Sequence, residues 1–244
     1  MGRTHPLRIR MPLPFGVPMT DRPMPPADWT PYAFDHAVAR YRNRVEELFY
    51  FSMKGHISAV GHAYEFHTGD GTPSWLPDLS ENLLRAVALT LNSEWQNDAV
   101  EWLSETQAFK HHGETDYKAF RANSSPKEID KHVKKLRGCG VASFPEYPTI
   151  IELQLVTNAI RHGPGPSLER LHAAHPELWV ETGDAVRLRP WYLPADEPMP
   201  RFHVKTEDLT RYKDAVCGFW TRISNAALTR AATGYRDASS SSES

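Results

Sequence analysis

The chain has 244 residues, 40% hydrophobic and 24% charged, which is long and apolar enough to bury a core and too apolar for a disordered chain. A formal net charge of −2 excludes a protein that coats nucleic acid through bulk charge, so any such contact needs a local patch. Two cysteines exclude a disulfide framework, and no apolar run reaches the length of about 18 residues that a membrane helix needs.

The first 29 residues hold seven of the twenty prolines and no continuous apolar stretch. They are expected to form an extended or disordered arm, not a secretion signal, and the expected setting is cytoplasmic. From Pro31, which suits a first helical turn, Phe34, Val38, Tyr41, Val45, Leu48, Ser52 and Gly55 recur at three- and four-residue steps. That spacing predicts a helix to about His67, on which the small residues Gly55, Ser58, Ala59 and Gly61 would admit a close neighbour. A second helical region starts near Ser80 and runs through EWQNDAVEWLSETQAF, with a break predicted at Asn92–Ser93. FKHHGETDYKAFRANSS reads as a connection.

Ser125 and Glu128 are spaced as a capping box, with Pro126 at the first position of the helix PKEIDKHVKKLR, which stops at Gly138. The next helix opens at Pro148 and ends at Gly163, and Ser167 is the expected cap of LERLHAAH. LWVE, AVRLRP and RFHVK have strand character, which places a small β insertion near residues 178–205. Thr206 is the expected N-cap of the last helix, with Leu209, Tyr212, Val216, Phe219 (or Trp220), Ile223 and Ala227 on one face. The predicted fold is mainly α, a helical bundle with a small β insertion. One domain over 30–233 lies between the arm, 1–29, and a flexible Ser-rich tail, 234–244.

The stretch IIELQLVTNAIRHGPG poses the functional question. At 100° per residue Ile151, Leu155, Asn158 and His162 share a stripe, with Gln154 beside it and Arg161 one turn from Asn158. An imidazole can act as acid or base, an amide can orient a ribose or phosphate, and a guanidinium can stabilise a developing phosphorane charge. RNA cleavage through its own 2′-hydroxyl needs such groups and no metal. The competing reading is structural: a histidine in a last turn answers the helix dipole, and Asn158 satisfies a buried neighbour.

ELQLVTNAIRHG resembles the motif helix of HEPN-type helical proteins, in which an Arg and a polar residue precede a three-residue gap and a His. The polar residue falls on Asn158 and the histidine on His162, while Thr157 stands where the family has Arg. The resemblance implies a metal-independent ribonuclease of a toxin or defence system, a homodimer, and RNA or an antitoxin as partner. It implies no cofactor. His162 would be the acid or base, Asn158 the orienting group and Arg161 the charge stabiliser in place of the missing arginine. The departure at Thr157 equally suits an inactive RNA-binding or scaffold version. The same stretch also resembles the N-box of the GHKL ATP-binding fold, which implies a broad sheet and a downstream Asp-x-Gly-x-Gly box. Only Gly183-Asp184 is present in that region.

Outside this helix, Lys127, Lys131, Lys134, Lys135 and Arg137 form a locally basic helix that could meet RNA phosphates, or simply a solvated face. His111 and His112 with Glu114 and Asp116 lack an HExxH spacing, so no metal site is predicted. Cys139, between two glycines, reads as exposed enough to react, or, as is more common, as a mobile helix-end cysteine. Neither a Gly-x-Ser-x-Gly elbow nor a P-loop occurs.

Overall fold

Among the described residues the helical periods of the sequence resolve into six α-helices. The computed structural model describes residues 24–27, 29, 31–65, 75–111, 125–163, 165–179 and 202–240, apart from the side chains of 33, 34, 36, 107–111 and 229–240. The helices are α1 (Ala39–Glu65), α2 (Leu76–His111), α3 (Pro126–Arg137), α4 (Tyr147–His162), α5 (Pro166–Ala174) and α6 (Thr206–Ser240). The protein is a mainly-α helical bundle.

Local chemistry sets most helix ends. Ser125 accepts from the Glu128 backbone N–H at 3.3 Å, and Pro126 opens α3. The Glu128 carboxylate lies 3.7 Å from Lys131, an interaction along the helix. Gly138 ends α3 at φ 92°, a backbone state that glycine adopts without a Cβ clash. Thr206 is the first residue of α6 and not its cap; the Asp208 carboxylate reaches back to the Lys205 N–H at 3.1 Å. Nor does Ser167 cap α5, which begins at Pro166.

α2 starts at Leu76 and is continuous, so the break expected at Asn92–Ser93 is absent. Ser93 donates its hydroxyl to the Leu89 carbonyl at 2.8 Å, and Asn92 is wholly buried. Both polar side chains are turned into the helix or the core, where they do not initiate a new cap.

α6 is the element around which the others pack. It contacts α1, α2, α4 and the 3₁₀ stretch Ala33–Val38 that leads into α1. Leu209, Tyr212, Val216, Phe219, Trp220, Ile223 and Ala227 are all buried on it, as their helical spacing predicts. Trp102 and Trp220 meet at 5.8 Å with ring planes 82° apart, and Phe219 lies 4.8 Å from Phe144. One buried cluster runs from Trp29 to Ala226 and draws on every helix. Trp29, at the end of the expected arm, belongs to that core; it stacks on Trp102 at 5.8 Å.

The expected β insertion falls mostly on residues outside the described ones. What is described is a single antiparallel bridge between Trp179 and Phe202. Arg85 ties it to α2 by donating to the Phe202 carbonyl at 2.9 Å. The broad sheet that a GHKL likeness implies is absent among the described residues, and no described helix is long and apolar enough to cross a membrane.

α1 keeps its predicted face over its first half: Val38, Tyr41 and Val45 are buried, and Leu48 packs against the core, partly buried, as do Phe49 and Met53. No residue from Glu46 to Glu65 is fully buried. A Cβ at Gly55 or Gly61 would have nothing within 4 Å, so the close neighbour expected there is not part of this chain's described fold.

Candidate functional site

Proline at the start and glycine at the end define α4. Pro148 lies in its first turn, and Gly163, at φ 64°, donates its N–H to the Ala159 carbonyl at 3.0 Å. Ile150, Leu153, Val156 and Ala159 face the core. Thr157, at the position of the family's arginine, is wholly buried and donates its hydroxyl to the Gln154 carbonyl at 3.0 Å. No cation can act from there.

Asn158 is half-buried, while Arg161 and His162 are exposed in the last turn, where the Arg161 charge complements the helix C-terminus. The Arg161 guanidinium donates to Ser93 Oγ on α2 at 3.0 Å. Asn158, Arg161 and His162 thus lie together in the last turns of one helix. Arg161 is held against α2 and Thr157 offers no replacement for it.

The basic helix divides into two parts. Lys127, Lys131, Lys134 and Lys135 are all exposed on α3, and among the described residues only Lys131 has a carboxylate within ion-pair reach. Asp130, the other acid of the helix, accepts the Ala142 N–H at 2.7 Å instead.

Arg137 is the correction. It is fully buried, and its guanidinium donates to both carboxylate oxygens of Asp35, at 2.7 and 2.8 Å, and to Thr106 Oγ1 at 2.8 Å. The rings of Tyr32, Trp102 and Trp29 lie 4.1, 4.9 and 5.3 Å from its Cζ. Such a group cannot reach a phosphate. Arg137 meets α2 at Thr106 and Arg161 meets it at Ser93, thirteen residues away. At the helical rise those levels are about 20 Å apart, so the end of α3 and the end of α4 are not one site.

Two polar clusters escaped the sequence reading. Glu152, buried on α4, accepts both arms of the Arg211 fork and the Tyr212 hydroxyl, the latter at 2.8 Å. His175 Nδ1 stands 3.0 Å from Glu177 and 3.9 Å from Glu152. Burial pushes the Glu152 carboxyl up, but its bonds to Arg211 and Tyr212 outweigh that and hold it below its ordinary value. The cluster pins α4 to α6, with the Glu152 carboxylate taken up by Arg211 and Tyr212. A glutamate within the apolar face of α4 was the available signal.

The second cluster joins α1 to α2. Asp98 is wholly buried and bonds to Arg44, with Arg40 bridging Glu101 and Glu105 nearby. Burial pushes the Asp98 carboxyl up to about 7, against the pull of Arg44. This pair joins two helices.

Cys139 is buried, at 3% exposure, contrary to the expectation of a reactive thiol. Of the weighed His111, His112, Glu114 and Asp116 group, no side chain lies among the described ones, and those that are described contain no cluster suited to a metal. No family model matches the chain, nor does any of the curated proteins or solved structures compared with it.

Proposed function

We propose that this chain is a non-catalytic helical interaction module on a HEPN-like bundle. The observation that carries the reading is the outer face of α1. Over residues 46–65 Leu48, Phe49 and Met53 turn to the chain's own core, while Tyr50, Phe51, Ile57 and Tyr64 stand exposed. Contiguous apolar surface of this kind marks a docking site more often than an idle surface. The motif helix supports the same reading, because the ribonuclease of a toxin or defence system needs a cation beside His162. Thr157 is buried in that place and Arg161 is engaged by Ser93.

The test is whether the face is dispensable to the fold. Replacing Tyr50, Ile57 and Tyr64 together by serine should leave the thermal midpoint of dilute protein within about 4 °C of wild type, the shift of about 1 kcal/mol or less. A fall several times larger would make these residues part of the chain's own core and end the docking reading.

A second reading, RNA binding without cleavage, rests on the exposed lysines of α3. Lys127, Lys134 and Lys135 have no described carboxylate to neutralise them. Removing Lys127, Lys131, Lys134 and Lys135 should then weaken RNA binding at low salt and flatten its salt dependence. Binding that is absent, or unchanged in the variant, rejects it.

A further inference from the structure

The geometry points to a second copy of this chain as the occupant of the α1 face, paired antiparallel along residues 47–64. The inference rests on the docking reading above and names its partner. Tyr50, Lys54, Ile57, Gly61 and Tyr64 are all exposed and follow one another at steps of four, three, four and three residues. Glu47, also exposed, extends the pattern by one step at the start. That is the 3.5-residue repeat of a helix–helix seam, and it runs along the side of α1 that faces away from the core.

The seam is complementary to its own reversal. Turned end for end, it sets Tyr50 against Gly61 of the second copy, Ile57 against Lys54, and Tyr64 against Glu47. The largest side chains then meet the smallest, and Gly61 has nothing within 4 Å of where a Cβ would stand, so a ring can lie against the backbone there. The Tyr64 phenol faces a carboxylate that can accept its hydrogen bond, and the Lys54 stem covers Ile57 while its ammonium stays in water. Parallel pairing lacks all of this. It sets Glu47 against Glu47 and Lys54 against Lys54, and leaves a gap at Gly61.

The size also fits. Tyr50, Phe51, Ile57 and Tyr64 are 60%, 66%, 67% and 56% exposed. Wholly covered, they would remove about 500 Å² from one copy and about 1,000 Å² from two, the lower edge for a specific interface, to which Glu47, Lys54 and Gly61 add. Phe51 lies on the flank of the seam and closes its edge. A two-fold pair uses the same patch twice, so one sequence supplies both halves.

Two glycines give a clean experiment on the full chain. Both Gly61 and Gly55 sit within α1 and both are open to solvent, but only Gly61 lies in the seam; Gly55 is rotated about 140° from Tyr50. In sedimentation velocity, wild type should pass from monomer to dimer as concentration rises. Gly61→Arg should weaken the dimer at least about tenfold, and Gly55→Arg should leave it as in wild type. Circular dichroism should show both variants folded, since neither new side chain meets the bundle. A third variant, Ile57→Glu, should also be monomeric. Wild type that stays monomeric to about 100 µM overturns the proposal, whether or not another molecule binds the face. So does a dimer that Gly61→Arg leaves intact. Monomeric wild type with a serine-tolerant face would still leave the docking reading standing, so the two failures are distinct.

Discussion

Arg137 and Asp35 face each other as a doubly hydrogen-bonded ion pair, at 2.7 and 2.8 Å, with both side chains wholly buried. Asp35 also accepts the Tyr32 N–H at 2.8 Å and the Trp102 indole N–H at 3.2 Å. The pair thereby fastens the chain before α1 to α2 and to the end of α3. Removing one partner strands a charge in the core, so Asp35→Ala should cost about 3–5 kcal/mol in urea unfolding. Asp35→Leu combined with Arg137→Met should recover part of that loss. A single substitution costing under about 1 kcal/mol would mean the pair is not buried as described.

Asp98 gives the stability a pH dependence of unusual sign. Its folded carboxyl is pushed up to about 7 from an ordinary value of 3.8, mainly by burial. The folded chain therefore holds this proton where the unfolded chain has lost it. Its contribution is full below the ordinary value and is lost as pH rises through about 7. Between about pH 5 and about pH 8 the wild-type midpoint should fall relative to that of Asp98→Asn, which cannot ionise. Parallel curves would refute it. Glu152 acts in a separate acid window: its folded carboxyl is depressed, so its contribution holds above the ordinary value and is lost as pH falls through the lower one.

Neither cysteine should react in the native protein. Cys139 and Cys217 are 3% and 8% exposed, and burial pushes the Cys217 thiol up to about 12. An aromatic disulfide reagent should titrate both thiols in denaturant and neither, on the same timescale, without it. Rapid native labelling of Cys139 would restore the exposed position that its flanking glycines suggest.

Gly140 approaches the Asp130 carboxylate so closely that a side chain there would make Asp130 move. A Cβ there would overlap Asp130 Oδ1, the atom that accepts the Ala142 N–H. Gly140→Ala should cost about 1–3 kcal/mol through that clash and the lost bond. Asp130→Ala should lose the bond without the clash, and adding Gly140→Ala to it should cost little more. Fully additive losses would separate the two residues.

Local signals made the helices legible. Ser125 with Pro126, Pro148 with Gly163, and the seven-residue stripe of α6 each act within a few residues, and each is borne out. The role of Arg137 was hidden because Asp35 lies 102 residues away, and no local rule pairs them. One clue existed: Arg137 follows Val133 by four, which puts it on the buried face of α3 and off its lysine stripe. Glu152 is the same case on α4. Periodicity carried the core-facing stripe of α1 past Val45, where Leu48 still packs against the core, partly buried, but Ser52 and Gly55 do not join it. The exposed Tyr50, Ile57 and Tyr64 lie on the opposite side, which a search for the core stripe passes over.

Docking and cleavage are separated most directly by incubating labelled RNA with the full chain in EDTA. As a non-catalytic module, wild type should leave a panel of RNAs intact, and His162→Ala should match it. Cleavage to 2′,3′-cyclic phosphate ends by wild type, lost in His162→Ala at equal folding, would contradict the proposal and make the exposed end of α4 a metal-independent ribonuclease site.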